Sequence, residues 1–497
     1  MLARLSIVLD KIILLFGALF CVQWTIALLV FPIYKERLSG YLPIIVGLVV
    51  GLLFCSTRLT SSITRKITNV SPGVFLLGTT LMALSIRLIA VALFPIEPVN
   101  DHLFFHRYAV NILNGKGFGG LPWPGLPHLG YRVYALYPPG MSFLLASWYW
   151  LTTASVVAGK IVNCLIGTGM VLLLYDIGRR ILGNAAGRWA ALIAAVLPTL
   201  VFYSASLGYE IVLATLLLSV IDFALVVLHL RGLWRWLVVA AIGVLLGVGC
   251  LVKPICLLVP FLLLAWWLLL GVGWRAWLFA ATSFLFMFSV ILPWTLRNER
   301  IFNRFVLIST NGGCVLYSAN NPEATGVYMT VRPLPGEVDE VAMDRLRRQA
   351  GVRWIVGHPV QFLRLAFVKA VVTWGTSSTI MSFISCDRMA AWQENICMGL
   401  LNVGWTALLI VCIFSTATTP IWRQRKLYLA FAMLMYLFLI HLVAEAESRH
   451  YIPVLGTLIL IAAYGISCKS RKQEPSEESE LVSSGEERRS KPSLAFR

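Results

Sequence analysis

Apolar runs of about 20 residues recur along almost the whole of this 497-residue chain, and their length constrains the fold more than any motif does. A helix of that length crosses a bilayer core about 30 Å thick, and in lipid only helices or closed barrels satisfy every backbone N–H and C=O. Long Leu/Val/Ala/Ile runs mean helices. About twelve spans are expected, at residues 12–31, 41–57, 72–94, 155–176, 189–207, 211–229, 234–252, 254–270, 276–296, 396–415, 426–444 and 451–468. A chain that is 59% hydrophobic and 13% charged, with mean hydropathy +0.81, suits this reading. The expected fold class is an all-α polytopic membrane protein.

The net charge of +18 is no sign of nucleic acid. Lys and Arg sit in short loops between apolar runs, where they set topology. Arg58, Arg65 and Lys66, then Arg179, Arg180 and Arg188, then Arg231 and Arg235, then Arg423, Arg425 and Lys426 fall on one side with both termini, and the positive-inside rule makes that side the cytoplasm. The first run is too long for a signal-peptide core and is expected to stay as an anchor. Two stretches break the alternation if forced to span: residues 137–151 open with a double proline, and residues 360–380 carry Arg364 and Lys369. Both are expected to lie in the outer interface.

This topology gathers four polar segments on the outer face: the loop Pro95 to Tyr137, the turn ending at Glu210, the loop Arg297 to Pro359, and the turn EAESRHY around Arg449. Polar groups concentrated on one face argue for a reaction at the membrane surface. Asp101, in EPVNDHLFFHRY, is the first candidate, either as a base taking a proton from an attacking hydroxyl or as the N-cap of the helix it opens. His102 and His106 are one helical turn apart, a spacing compatible with a metal site although no third ligand is evident. Glu210 opens a long span, where a carboxylate also suits a helix N-terminus. Arg132, Lys253, Arg297 and Arg449 are the outward cations able to meet a phosphate, each with a plain alternative as an interfacial cation. Trp123, Tyr131, Tyr134 and Tyr137 are expected at the interface in any case. Cys386 and Cys397 fall on the outer side, where a disulfide can form. The tail from Lys469, rich in Ser, Glu, Lys and Arg, is expected to be disordered and cytoplasmic.

Several motifs keep a recognisable order: Asp101, Tyr108-Ala109, GKGFG, YPPG, a span ending in RRILG, SLGYE, LVKP at Leu251 to Pro254, PWTLRN, STNGG, NNPEATG and ESRHYIPVL. Together they resemble the polytopic GT-C glycosyltransferases, in the branch of the dolichyl-phosphate-mannose protein mannosyltransferases and lipid A aminoarabinose transferases. The resemblance covers about residues 72–468. It implies transfer of a sugar from a polyprenyl-phosphate carrier to a lipid, glycan or protein acceptor outside the cytoplasm, at a bacterial inner membrane, with inversion. It also implies Asp101 as base, Glu210 as its partner, Lys253 and Arg449 (then Arg132 and Arg297) on the donor phosphate, and His102, His106, Tyr108 and Tyr137 near the sugar or acceptor. A divalent metal, Mg or Mn, is open. Relatives often carry a second acid where this chain has His102, and the aminoarabinose transferases carry Lys where it has Tyr137, so neither role transfers.

The expected organisation is an extra transmembrane hairpin (1–71), a GT-C core (72–296) with a catalytic loop (95–137), an outer loop with an interfacial helix (297–395), C-terminal spans (396–468) and the tail (469–497). A transporter, flippase or polysaccharide-assembly subunit is the alternative. Asp222, Arg87 and Lys160 lie inside spans, as a transporter would require, but no internal repeat accompanies them.

Overall fold

A computed structural model of the chain describes residues 41–122, 132–327, 329–375, 384–385 and 389–471. The expected span 12–31, Trp123, Tyr131, Cys386 and most of the tail lie outside them. Apart from four two-residue strands, the regular elements of the described chain are helices. Among the described residues eight helices are long and apolar enough to cross a membrane, or up to eleven if each of three bent pairs counts as one span. It is an integral, multi-pass membrane protein.

The N-terminal helices are α1 (Tyr41–Phe54), α2 (Thr57–Asn69) and α3 (Pro72–Leu93). Strand β1 (Glu97–Pro98) then leads into α4 (Asn100–Leu113). A hairpin of β2 (Leu121–Pro122) and β3 (Arg132–Val133) precedes α5 (Gly140–Leu151). Twelve residues at 1.5 Å each are too short to cross, as the double proline suggested. Next come α6 (Val156–Leu182), α7 (Asn184–Val196), α8 (Pro198–Ser204), α9 (Glu210–Val227) and α10 (Gly232–Val252). After Lys253 a 3₁₀ turn leads into α11 (Val259–Leu269), and α12 (Arg275–Phe302) follows.

The next segment holds α13 (Gly312–Ser318), α14 (Glu340–Gly357) and α15 (Pro359–Gly375), with a bend of 108° between the last two. Strand β4 (Ile384–Ser385) pairs antiparallel with β1. The chain ends with α16 (Ala391–Thr418), α17 (Tyr428–Val443), a 3₁₀ turn Ser448–Val454, and α18 (Leu455–Arg471).

Three expected spans differ in form. The span placed at 155–176 continues to Leu182, so Arg179 and Arg180 sit in its last turn, paired with Asp176. The span placed at 189–207 is two helices bent by 53°, the second opening on Pro198. Proline lacks an N–H and is best tolerated in a first turn, so the helix restarts there. The span placed at 254–270 is a 3₁₀ turn and an 11-residue helix, with Pro254 and Pro260 in their first turns.

Two of the charged residues inside spans, Arg87 and Asp222, have structural partners. Arg87, wholly buried, donates to Ala194 O at 3.0 Å, Ala195 O at 3.1 Å and Ser204 Oγ at 3.3 Å, satisfying carbonyls left open by the α7–α8 break. Asp222 of α9 lies 3.7 Å from Arg180 of α6.

Candidate active site

Asp101, Glu210 and Arg449 come from three segments far apart in sequence and meet. Arg449 Nη1 is 3.1 Å from Asp101 Oδ2 and 3.5 Å from Glu210 Oε1, while its Nε is 2.5 Å from Glu447 Oε2. The guanidinium is 5% exposed, and one fork of donors serves three carboxylates. The chain enters α4 through Asn100 at φ 49°, a left-handed conformation that Asn tolerates better than most residues. Val99 is the N-cap and no side chain caps the helix, so Asp101 is not spent on capping.

Glu210 opens α9 and is 1% exposed. Its place depends on Gly208 of SLGYE, where a Cβ would stand 2.1 Å from Glu210 Oε2 and 2.9 Å from His102 Nε2. Only glycine leaves room for the carboxylate to fold back beside His102. The glycine of YPPG acts similarly: a Cβ at Gly140 would meet the backbone of Leu251 and Val252 at 2.7 Å. Thus α5 abuts the turn that presents Lys253.

Lys253 Nζ donates to the Tyr209 hydroxyl at 2.8 Å and lies 4.8 Å from that ring's centre. Arg449 sits over the same ring at 5.9 Å, so Tyr209 bridges the two cations. The Tyr137 hydroxyl donates to Asp101, and its ring packs against Phe104 and Phe105.

Burial alone would raise the Asp101 pKa, but Arg449, the Tyr137 hydrogen bond and Lys253 outweigh it and hold the carboxyl below its ordinary value. His102 is pulled down to about 3 by burial and then by Arg449, so its imidazole is neutral. Burial and the adjacent Glu447 push Glu445 up to about 8.

Other residues singled out from the sequence lie apart from this cluster. His106 Nδ1 is 2.9 Å from the Tyr149 hydroxyl on α5. Tyr108 is wholly buried and stacks on Phe118 at 4.3 Å. Arg297 donates to Tyr134 O at 2.8 Å and to Phe118 O, and Arg132 donates to Gly120 O at 3.0 Å. These two arginines hold loop carbonyls.

The sequence reading missed four contributors: Tyr209, Glu340, Glu445 and Glu447. Glu340, 2% exposed, accepts from Tyr134 N at 2.6 Å and Thr310 Oγ1 at 2.8 Å, fastening the outer layer to the segment that leads to Tyr137. Among the described residues one group has metal-site spacing: Glu445, Glu447 and His450, with ligand atoms within 4.8 Å of one another. Asp101, His102 and His106 do not form such a group. A cavity of about 740 Å³ adjoins the cluster, lined by Lys253, Glu445 and His450 at one end, by Ile255 and Ile440 along its wall, and by Arg345 of α14.

Residues 137–295 match the model of the dolichyl-phosphate-mannose-protein mannosyltransferase family. That segment, about a third of the chain, runs from the YPPG motif into α12 and bears out the resemblance read from the motifs. Asp101 lies before it and Arg449 after it. Among solved structures the chain is similar to the archaeal oligosaccharyltransferase AglB from Archaeoglobus fulgidus in complex with an inhibitory peptide and a dolichol-phosphate. Identity is 13%, coverage 85% of this chain and 52% of that one, and the TM-score 0.47. It is also similar to ArnT from Cupriavidus metallidurans bound to undecaprenyl phosphate, at 15% identity, 80% and 78% coverage and a TM-score of 0.40. The oligosaccharyltransferase is also known in complex with Zn and sulfate, matched at 15% identity over 78% of this chain and 48% of that one with a TM-score of 0.47. The chain spans about half the length of the archaeal enzyme. No curated protein sequence matches it.

Proposed function

We propose that the protein is a membrane glycosyltransferase that moves a sugar from a polyprenyl-phosphate carrier to an acceptor hydroxyl on the non-cytoplasmic face of a bacterial inner membrane. One observation carries this reading: Asp101 and Glu210, from different loops, converge on Arg449 beside a cavity that is cationic at Lys253 and apolar along its wall. An amphiphile with a phosphate head fits that gradient. The family match over residues 137–295 supports a lipid-phosphate donor.

The chemistry follows from the side chains. The acceptor oxygen attacks the anomeric carbon as the bond from that carbon to the phosphate oxygen breaks, and the acceptor's proton passes to Asp101. Negative charge developing on the departing phosphate is met by Arg449 and Lys253, both fixed before reaction by Tyr209 and the carboxylates. A single displacement inverts the anomeric centre. Asp101 is a weak base while Arg449 holds it. An incoming phosphate competes for that guanidinium, so donor binding frees the carboxylate and raises its affinity for a proton. Glu210 keeps Arg449 in place meanwhile.

The test is sugar transfer by purified protein in lipid, using a panel of synthetic polyprenyl-phosphate sugars. Transfer by the wild type that falls by about 10²–10⁴ in Asp101→Asn supports the reading. Absence of binding or turnover across the panel, with cellular glycan unchanged in Asp101→Asn, removes it and returns the transporter alternative.

A further inference from the structure

Four carboxylates in this cluster, Asp101, Glu210, Glu445 and Glu447, lie within electrostatic reach of the same two cations, Arg449 and Lys253. With all four ionised, two negative charges go unbalanced away from water, which is costly. That surplus also has the wrong sign for a site receiving a phosphate.

The uncompensated groups sit together. Glu445 is 5% exposed and its Oε2 has no hydrogen-bond partner. His450 is 4% exposed, and neither ring nitrogen makes a well-formed hydrogen bond, the Glu445 backbone offering only a loose contact. Glu447 keeps one oxygen on Arg449. Local structure brings them round: Glu447 immediately precedes the 3₁₀ turn Ser448–Val454, and three residues per turn return His450 to its side. Buried Lys369 pins the preceding helix end by donating to Leu442 O and Val443 O, both at 3.2 Å, and to Asn320 Oδ1 at 2.8 Å.

We propose that Glu445, Glu447 and His450 bind one divalent transition cation, Mn²⁺ or Zn²⁺, at the cavity wall, where it balances the carboxylate cluster and keeps a position open for an anionic oxygen. Two carboxylates and an imidazole suit these ions better than Ca²⁺, which prefers an all-oxygen shell. Three protein ligands are the usual number for a site with an open position. The cation site stands on these side chains alone; the anionic oxygen, a donor phosphate, rests on the function proposed above.

The test measures metal directly, apart from activity. Full-length protein in lipid is stripped with chelator, then titrated with Mn²⁺ followed by electron paramagnetic resonance and with Zn²⁺ followed by calorimetry. One site per chain and a raised melting temperature on binding are expected. Glu445→Gln and His450→Gln should each weaken binding at least about tenfold, while Asp101→Asn binds like the wild type. In chelator, Glu445→Gln should melt no lower than the wild type, because the amide replaces a buried carboxyl whose Oε2 has no partner, and it serves if His450→Gln fails to fold. No stoichiometric binding by the wild type at about 1 mM metal, or binding lost in Asp101→Asn but kept in both ligand variants, overturns the proposal. Sugar transfer that persists in chelator removes the cation from the donor phosphate and spares the transferase. Metal binding without transfer does the reverse.

Discussion

Asp101 is a partly buried carboxylate that Arg449 and Tyr137 keep charged, and this fixes how the site should respond to pH. Its folded-state pKa lies below the ordinary value near 3.9. The ionised form therefore stabilises the fold above that value, and the contribution is lost as pH falls through the depressed one. Transfer should hold steady from neutral pH down to about 5, with its acid limb in or below the carboxylate range. His102, already neutral, should add no step near 6.5. Replacing Arg449 with Gln should move the acid limb upward and destabilise the protein by about 3–5 kcal/mol, since it strands buried carboxylates. A pH–rate profile and a thermal melt check both, and an unmoved limb would show that Arg449 does not govern Asp101. Asp101, Glu210 and Arg449 were legible from the sequence because each is a charged residue in a short polar turn between apolar runs. Glu445, Glu447 and His450 stand in the same EAESRHY turn as Arg449, yet nothing in the spacing shows which side chains face the cavity. Arg132 and Arg297 illustrate the converse: a cation on the outer side reads the same whether it meets a ligand or a loop carbonyl.

Helix positions follow from hydropathy because lipid penalises open backbone, so the long spans agree closely with those expected. Breaks are less legible, since they depend on partners distant in sequence. Pro198 marks the α7–α8 bend, but the bend persists because Arg87, more than 100 residues earlier, fills the open carbonyls. Arg87→Met should leave those acceptors unpaired and cost about 1–3 kcal/mol, seen as a lower melting temperature in lipid. An unchanged melt would mean the bend needs no donor. Gly208 tests the link between turn and site. Gly208→Ala forces Glu210 from its place, because the added carbon would lie 2.1 Å from Oε2. Transfer should fall by at least about tenfold while the melt stays near that of the wild type. A fully active Gly208→Ala protein would remove Glu210 from the proposed reaction.

At the scale of the whole molecule, every proposed role depends on the cluster and its cavity facing away from the cytoplasm. Nucleotide sugars are confined to the cytoplasm, so an outward site needs a donor that travels in the bilayer, and a cavity with an apolar wall ending at Lys253 suits such a donor. The sidedness comes from the charge bias of the short loops, an argument independent of the site's geometry. Exposed residues at the two ends allow a direct check. Arg345, on the outer layer beside the cavity, replaced by Cys, should react with a membrane-impermeant maleimide in intact spheroplasts. Arg231→Cys, in the short loop before α10, should react only after permeabilisation. Reaction of both from one side would break the alternation of spans. Exchanged accessibility would place Asp101, Glu210 and Arg449 in the cytoplasm, where soluble activated sugars are at hand and a lipid-borne donor loses its rationale.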